Sequence, residues 1–336
     1  MPVQSTLCSL GPAPLTGIAR LASLSPEVRE RAEVSYFALP ARSILNRGSN
    51  KRMPFVWTIN PYRGCEFGCK YCYARYTHEF MEMRDGLDFE RKIYAKVGAP
   101  ELLQAELRHA RDKGLPIALG TATDPYQPAE KQFGITRRLL EAIAGFKGIR
   151  FSITTKSVLI LRDLDLLKAM KDSVGVHMTV TTTSARLARL LEPKAPPPAK
   201  RLEAVARLVS EGVFAGVNAM PILPGITDSR ASLDHLARHA AAAGAKFFHG
   251  NTLFLMPSSM RFFMPFLKQE FPRLARRYQQ LYARSAYLPE NYKKEIAAIV
   301  DELRERYGLN QTRMTPPPAS GPAQMTLGFS PRPEAL

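Results

Sequence analysis

Three cysteines stand close together in the sequence, with the spacing Cys-x3-Cys-x2-Cys. They are Cys65, Cys69 and Cys72. Cysteine thiolates are the usual ligands of iron–sulfur clusters, and most clusters take four of them. Three thiolates can instead hold three irons of a 4Fe–4S cube and leave the fourth iron open. The spacing therefore predicts a cluster that can bind a small molecule and pass it an electron.

Zinc is the alternative metal for these cysteines. Structural zinc takes four ligands, often four cysteines or three cysteines and a histidine, and His78 offers a fourth ligand shortly after Cys72. The one other cysteine, Cys8, is far away in the sequence. A disulfide does not fit, because three clustered cysteines leave one unpaired and nothing marks secretion. The residues favour the cluster and leave zinc open.

The composition is that of a large globular domain with a strong positive charge. The 336 residues are 45% hydrophobic, with a formal net charge of +17 and a pI of about 9.9. No 18-residue apolar run and no signal peptide is recognised, so we expect a cytoplasmic protein without a membrane partner. The charge favours anionic partners, and nucleic acid is the class we predict, although solvated basic helix faces give the same composition.

Short apolar runs alternate with helical patterns from residue 55 onward, as is typical of buried parallel strands. We predict strands at residues 55–60, 117–120, 150–154, 175–181, 214–220 and 247–255. Helices are predicted near residues 100–113, 136–145, 164–171, 200–211, 229–243 and 291–307. Six strand–helix units indicate an α/β fold, an incomplete (β/α)6 barrel of the TIM type with C-terminal helices. A doubly wound sheet is the alternative, but no glycine-rich nucleotide motif supports it.

We expect four segments along the chain. They are an N-terminal extension (1–54), the partial barrel (55–260), a C-terminal helical segment (261–312) and a proline-rich, disordered tail (313–336). Active sites of barrels lie at the C-terminal ends of the strands. The cysteines follow the first strand, and polar residues follow the next four. Although strand ends are often polar, this combination predicts a site at that edge.

From residue 60 to about residue 256 the sequence resembles the radical S-adenosylmethionine (SAM) superfamily, in the branch related to spore photoproduct lyase. The stretch that begins at Asn60 reads Asn-Pro-Tyr-Arg-Gly-Cys-Glu-Phe-Gly-Cys-Lys-Tyr-Cys-Tyr-Ala-Arg. Further matching stretches are Thr77-His78, Asp88-Phe-Glu90, Asp124-Pro-Tyr-Gln-Pro and Glu192-Pro193 followed by Arg201. The resemblance implies a 4Fe–4S cluster on the three cysteines, SAM at its open iron, and a reductant such as flavodoxin or ferredoxin. Reductive cleavage of SAM would then give a 5′-deoxyadenosyl radical.

The resemblance also implies roles for residues outside the cysteine motif. Tyr71 would lie against the adenine of SAM, because an aromatic face suits a flat base. Lys156 and Arg201 are candidates for binding the SAM carboxylate. Asp124 and Ser184 would hydrogen-bond the SAM ammonium or ribose hydroxyls. Each of these residues also suits an ordinary ion pair or turn.

One departure from spore photoproduct lyase concerns the hydrogen donor. That enzyme uses a further cysteine to return a hydrogen atom to the repaired thymine. Here no cysteine follows Cys72, and Cys8 precedes the predicted barrel. Tyr126 is a candidate hydrogen donor in place of the further cysteine. The alternative is that SAM is consumed once per turnover.

Two features of the C-terminal region favour DNA as a binding partner. Residues 273–294, the Arg/Tyr segment, interleave six basic residues with four tyrosines. Basic groups can follow phosphates while rings stack on bases, although the same pattern suits a helix packed by its tyrosines. The tail contains Gln-Met-Thr-Leu-Gly-Phe, from Gln324 to Phe329, which is similar to peptides that bind the bacterial sliding clamp.

Three functions follow as hypotheses from these features. The leading one is a radical SAM enzyme that acts on a nucleic-acid base in DNA repair or modification, and the resemblance implies a lyase. The second keeps the radical chemistry and directs it to a protein or a small molecule. The third is a zinc-containing nucleic-acid-binding protein without enzymatic activity.

Overall fold

The computed structural model describes residues 15–31, 33–48, 54–110, 116–146 and 148–312. Its strands are β1 (Glu27–Arg31), β2 (Val34–Ala38), β3 (Leu45–Arg47), β4 (Trp57–Ile59), β5 (Tyr62–Arg63), β6 (Lys92–Ala95), β7 (Ile117–Leu119), β8 (Phe151–Thr155), β9 (Val174–Thr179), β10 (Phe214–Ile222) and β11 (Phe248–Thr252). Its helices are α1 (Gly17–Leu24), α2 (Tyr76–Glu79), α3 (Asp88–Arg91), α4 (Ala99–Ala110), α5 (Glu130–Phe133), α6 (Ile135–Ala144), α7 (Leu164–Ala169), α8 (Ala185–Leu191), α9 (Pro198–Ser210), α10 (Arg230–Ala242), α11 (Pro257–Glu270), α12 (Ala275–Leu281) and α13 (Glu290–Arg306). Within these ranges, no helix has the length and apolar character needed to cross a membrane.

Seven strands form the main sheet, in the order β11-β10-β9-β8-β7-β4-β3. The strands β4, β7, β8, β9, β10 and β11 pair in parallel, and β3 lies antiparallel at one edge. Each parallel strand lies beside the preceding one, without the reversal of order that defines a doubly wound sheet. The described strands leave two open edges, at β3 and β11. The prediction of an incomplete six-stranded barrel is therefore confirmed.

The core of the barrel follows from the apolar strands that the sequence shows. Ile153 of β8, Val176 of β9 and Val217 of β10 are completely buried, as expected for parallel strands covered on both faces. The amphipathic helix α6 turns an apolar face with Leu139 and Leu140 toward this core. The strand ends that follow these buried runs are therefore held rigidly at one edge.

A second, smaller sheet was not predicted from the sequence. Its strand order is β1-β2-β6-β5, and it contains part of the region that we expected to be an N-terminal extension. Strand β5 follows β4 and pairs antiparallel with β6, so the cysteines emerge between the two sheets. Helix α11 crosses the expected boundary after residue 260, and the division into four segments stays a prediction.

The predicted tail and its clamp-binding peptide, from Gln324 to Phe329, lie outside the described residues. Cys8 also lies outside them. The disordered state of the tail and its binding to a sliding clamp therefore stay predictions.

Candidate active site

The cysteine loop (residues 64–72) is held in place by residues that are distant in the sequence. The Lys70 N–H donates a hydrogen bond to the carbonyl of Leu191 over 2.9 Å. The Ser259 hydroxyl donates to the carbonyl of Cys72 over 3.1 Å. Because these partners come from α8 and α11, the fold of the whole barrel determines the conformation of the loop.

Gln127 joins the cysteine loop to the segment that follows β7. Its amide NH2 donates to the carbonyl of Gly64 over 3.0 Å, and its amide oxygen accepts from the Glu66 N–H over 3.0 Å. The side chain is completely buried, and a buried amide with partners at both ends is strongly oriented. Gln127 belongs to a stretch that carried the family resemblance, but the sequence alone predicted no role for it.

Two glycines allow the cysteine loop to approach its neighbours closely. The φ angles of Gly64 and Gly68 are 84° and 65°, in the left-handed region that glycine adopts without a steric penalty. A Cβ at Gly64 would lie 2.9 Å from the carbonyl oxygens of Phe89 and Lys92. A Cβ at Gly68 would lie 2.9 Å from a carboxylate oxygen of Glu90. A side chain at either position would therefore displace the loop.

A buried ion pair lies directly behind the cysteine loop. The guanidinium of Arg75 pairs with Glu90, and both side chains are buried. Arg75 also donates to the carbonyl of Cys69 over 3.0 Å, and its guanidinium carbon lies 3.5 Å from the ring centroid of Phe262. No local pattern predicted this pair, which orients the backbone of Cys69.

The three thiol groups are neighbours in a largely apolar environment. Cys65 and Cys69 are buried and Cys72 is half-buried. Burial raises the pKa of all three thiols, to about 12 for Cys69, where the positive charge of Lys156 acts in the opposite direction. For Cys65 the negative charge of Asp124 raises the pKa further. Metal binding at these residues therefore requires release of the thiol protons.

The arrangement of these donors fits a 4Fe–4S cluster better than a zinc ion. Among the described residues, no three Cys, His, Asp or Glu side chains converge where a single metal ion could bind. His78, the predicted fourth zinc ligand, places its Nε2 3.0 Å from the carbonyl oxygen of Lys92 and packs its ring against Phe89. In a 4Fe–4S cube each thiolate binds a different iron, so three neighbouring thiols suffice without His78.

We expect His78→Gln to leave the iron content of the reconstituted protein unchanged. Burial lowers the pKa of His78 to about 4, so the ring is neutral at pH 7 and serves packing. Iron and zinc are measured by inductively coupled plasma mass spectrometry after anaerobic reconstitution, with Cys72→Ser as the variant that should lose iron. If a His78→Gln protein that is folded by circular dichroism lost its metal, this would show that His78 is a ligand.

Glu192 lies at the centre of a buried network beside the thiols. It accepts hydrogen bonds from the hydroxyls of Tyr71 and of Thr181, the latter over 3.1 Å. Arg201 completes the network with an ion pair of 2.5 Å. Burial raises the pKa of Glu192, but the positive charges of Arg201 and Lys156 outweigh burial and keep it below its usual value. The carboxylate is therefore charged and orients Tyr71.

The structure places Arg201 inside this network. Its Nε donates to the carbonyl of Pro196 over 2.7 Å, and its Nη1 donates to the carbonyl of Thr179 over 3.0 Å. With Glu192 as the third partner, every nitrogen of the guanidinium faces a protein oxygen, and the residue is 1% exposed. Arg201 thus positions Glu192, and its predicted contact with the SAM carboxylate stays a prediction.

Lys156 is the cation that faces the cysteines. It follows β8 directly, and its Nζ lies 5.7 Å from the ring centroid of Tyr71. Burial lowers the pKa of Lys156, but the negative charges of Cys69 and Glu192 outweigh burial and raise it. Within the described part of the chain its ammonium group pairs with no carboxylate. Lys156 is therefore a charged donor that an anionic ligand can engage.

Asp124 connects the loop after β7 to the end of β8. Its carboxylate accepts from the Thr155 hydroxyl over 2.6 Å, from the Tyr126 N–H over 2.9 Å and from the Lys156 N–H over 2.7 Å. Burial raises its pKa, and these hydrogen bonds act against that rise. Asp124 thus orients the backbone of Lys156, and its predicted contact with SAM stays a prediction.

Ser184 caps a helix, and Tyr126 is buried in the core of the barrel. The Ser184 hydroxyl caps α8 by accepting from the Leu187 N–H over 3.3 Å. Tyr126 is 1% exposed in the main core, where burial and the charge of Asp163 raise the pKa of its phenol. The thiols belong to a different buried cluster, so the structure does not bring Tyr126 to them. Hydrogen donation by Tyr126 and SAM binding by Ser184 stay predictions.

The tyrosines of the Arg/Tyr segment fall into two groups. Tyr278 and Tyr282 lie four residues apart, hence on one helix face, and that face is buried. Tyr292 is half-buried and donates to Asp228 over 2.6 Å. For these three tyrosines the structure shows the alternative that the sequence left open, a helical segment packed by its tyrosines, because contacts within the protein use their rings. Tyr287 differs, since 56% of it is exposed.

Comparison with known proteins identifies the family. A family model described as the Radical SAM superfamily matches residues 59–237. The chain is 35% identical over 304 residues to an uncharacterized protein of Mycobacterium tuberculosis, and the match covers 88% of each chain. An uncharacterized protein of Methanocaldococcus jannaschii is 33% identical over 172 residues, which are 51% of this chain and 62% of that protein. The chain therefore belongs to the radical SAM superfamily.

Two solved structures of spore photoproduct lyase have a similar fold. One is complexed with dinucleoside spore photoproduct; its TM-score is 0.62 at 14% identity, over 81% of this chain and 79% of that chain. The other is a mutant of the lyase with bound AdoMet and the same compound. Its TM-score is 0.61 at 14% identity, over 80% of this chain and 78% of that chain. At this identity the likeness shows the fold. The predicted resemblance is confirmed, and a 4Fe–4S cluster and SAM are the cofactors that the family implies for these residues.

Proposed function

We propose that this radical SAM enzyme acts on a base of a nucleic acid, in the repair or modification of DNA. When bound, the cluster supplies an electron to SAM, and reductive cleavage of SAM supplies a 5′-deoxyadenosyl radical that abstracts a hydrogen atom from the substrate. Cys65, Cys69 and Cys72 hold the cluster, and Lys156 binds the SAM carboxylate. The buried surroundings exclude water from the reacting groups.

The observation that carries the proposal is a group of exposed cations on the Arg/Tyr segment, whose buried Tyr278 and Tyr282 share an apolar cluster with Cys65 and Cys69. Arg273, Arg276, Arg284 and Lys294 are exposed, and none forms an ion pair within the described part of the chain. Between residues 254 and 294 the sequence has eight Lys and Arg residues against two Glu residues. Uncompensated positive charge at a surface suits the phosphates of a nucleic acid.

The similarity to spore photoproduct lyase supports the same class of substrate. That enzyme has been seen with a dinucleoside photoproduct, and the present fold aligns with it over most of both chains. The chain has no cysteine after Cys72, so a thiol hydrogen donor of the lyase type is absent from that part of the sequence. We therefore propose a related reaction on a base, with a different hydrogen donor or with consumption of SAM.

Binding of DNA tests the proposal directly. Fluorescence anisotropy with a labelled oligonucleotide should give a dissociation constant that rises steeply with salt, because each phosphate contact contributes about 0.7–0.9 to the logarithmic slope. Arg273→Gln combined with Arg276→Gln should reduce this slope, whereas the control Lys200→Gln on α9 should not. Binding that is absent or insensitive to salt would favour a protein or small-molecule substrate.

We expect Lys156→Met to weaken SAM binding by at least about tenfold, which corresponds to the loss of one charge-assisted contact. The cluster should remain, since Lys156 is no metal ligand. Equilibrium dialysis with radiolabelled SAM measures the affinity, and iron content serves as the control. Lys156→Arg should keep part of the affinity. Unchanged binding by a cluster-loaded Lys156→Met protein would exclude this role.

We further propose that the enzyme works in the cytoplasm with a reductant such as flavodoxin or ferredoxin. Free thiols and an iron–sulfur cluster both suit a reducing compartment. Electron transfer from either donor to the reconstituted protein can be followed by the change in visible absorbance of the cluster.

A further inference from the structure

Five aromatic rings form a continuous row beside the cysteine loop. We call it the aromatic row; in spatial order its members are Phe80, Tyr76, Tyr73, Phe254 and Tyr287. Successive ring centroids lie 5.6, 6.5, 6.1 and 4.6 Å apart. The rings come from three separate parts of the chain, so only the folded protein brings them together.

The aromatic row is open to solvent at both ends and in the middle. Phe80 is 61% exposed, Tyr73 is 40% exposed and Tyr287 is 56% exposed. Single exposed apolar residues are common on protein surfaces, whereas a contiguous set usually marks a binding site. The Tyr73 hydroxyl donates to the carbonyl of Thr121, which fixes the central ring before any ligand binds.

The position of the aromatic row links it to the chemistry of the site. Tyr73 directly follows Cys72, and Phe254 lies just beyond the C-terminal end of β11. The C-terminal strand ends form the edge at which barrel active sites lie. A ligand that lies along the row therefore passes immediately beside the cysteine loop.

The charges around the aromatic row indicate an anionic occupant. The Lys293 Nζ lies 5.9 Å from the ring centroid of Tyr287, and the Arg63 guanidinium lies near Tyr76. Two carboxylates in the segments that carry the row are paired with cations: Glu290 pairs with Lys293 over 2.6 Å, and Glu79 pairs with Arg261. Tyr287 also belongs to the Arg/Tyr segment, which carries the exposed Arg284 and Lys294.

We propose that the aromatic row binds unpaired bases of a single-stranded or locally opened nucleic acid by stacking. Rings next to basic groups are the usual way to bind single strands, because every base has a flat face and every nucleotide a phosphate. The row thereby presents one nucleotide to the cluster site while neighbouring bases stack along it. The inference rests on the proposed function and narrows its substrate to nucleic acid with unpaired bases.

The test compares three labelled DNA molecules of equal length, using the full-length, cluster-loaded protein and fluorescence anisotropy. They are a single strand, the matching duplex and an abasic single strand, which has the phosphates without the bases. The wild type should bind the base-containing strand at least about tenfold more tightly than the abasic strand. The double variant Phe80→Ala with Tyr287→Ala should lose most of this preference, because each ring contributes a factor of about five or more to it.

Matched controls separate stacking from charge and from misfolding. Tyr287→Phe should keep the preference for bases. Leu24→Ala removes an equally exposed apolar side chain in α1 (68% exposed) and should change nothing. Arg276→Gln should weaken binding of the base-containing and the abasic strands alike. Circular dichroism confirms that each variant is folded.

The outcomes distinguish the inference from the proposed function. Equal binding of the base-containing and abasic strands by the wild type would overturn the aromatic row as a base-binding surface and leave nucleic-acid binding intact; the exposed rings would then serve a protein partner. Absence of binding to all three molecules would overturn the proposed function itself. A preference for the duplex that survives Phe80→Ala with Tyr287→Ala would also refute stacking on the row.

Discussion

Cys69→Ala is expected to abolish binding of the 4Fe–4S cluster and, with it, reductive cleavage of SAM to below the detection limit. In the proposed site Cys69 is one of three thiol ligands, and two thiolates cannot hold three irons of a cube. Iron content and the electron paramagnetic resonance spectrum of the reduced protein, with and without SAM, measure the cluster. Liquid chromatography with mass spectrometry measures release of 5′-deoxyadenosine.

The matched control for Cys69→Ala is Cys8→Ala, which removes a cysteine that lies outside the motif. We expect the Cys8→Ala protein to bind iron and to cleave SAM like the wild type. In the wild type, SAM should change the resonance signal of the reduced cluster, because it binds at the open iron. Cleavage of SAM by a Cys69→Ala protein would show that the ligand assignment is wrong.

Arg201→Met is expected to lower the free energy of unfolding by about 3–5 kcal/mol, the usual cost of removing one partner of a buried ion pair. Methionine fills a similar volume but leaves the Glu192 carboxylate buried and without its cation. The cost is therefore electrostatic rather than a cavity effect. Urea denaturation of the cluster-free protein, followed by circular dichroism, measures this loss for wild type and variant under the same conditions.

The double variant Arg201→Met with Glu192→Gln should recover a large part of the stability lost in Arg201→Met, because residue 192 no longer carries a buried negative charge. Were the double variant as unstable as the single one, packing of the arginine stem would be the cause instead. Cluster-loaded Arg201→Met should still bind iron, since Arg201 positions Glu192 and Tyr71 and contacts no metal.

The free energy of unfolding of the wild type should decrease in acid, and the Arg201→Met variant should not show the same decrease. Burial alone would raise the pKa of Glu192, but Arg201 and Lys156 keep it below its usual value. The charged carboxylate thus contributes stability above its unfolded pKa, and this contribution is lost as the pH falls through the folded pKa. Without Arg201, burial raises the pKa of Glu192, so protonation in acid removes the buried charge of the variant. The difference in the free energy of unfolding between the wild type and Arg201→Met should therefore narrow between pH 7 and pH 4.

The sequence predicted the parts of the fold that depend on local pattern. The run that became β7, Ile117–Leu119, is continuously apolar and is buried, as expected for a parallel strand. Strand β1, Glu27–Arg31, carries four charged residues among five, so no pattern of apolar residues marks it. It forms through pairing with β2, which is a tertiary interaction that a local pattern cannot reveal.

The candidate site also has one part that a local pattern predicts and another that depends on contacts between distant parts of the chain. The spacing of the cysteines is local and could be interpreted directly. The contact between Tyr71 and Glu192 joins residues 121 positions apart, so no local pattern could show the buried network in which Arg201 lies. The aromatic row likewise depends on Phe254 and Tyr287 reaching Tyr73. For Tyr278 and Tyr282 the sequence left base stacking and packing open, and only the fold shows that both rings lie in the core.

The anchoring of the cysteine loop has a consequence for an enzyme that oxygen can damage. Gln127, the Arg75–Glu90 pair and the hydrogen bonds from Lys70 and Ser259 all hold the loop through protein contacts and not through iron. We therefore expect the empty loop to keep its shape when oxygen destroys the cluster. Recovery would then require iron, sulfide and reductant, but no refolding of the chain.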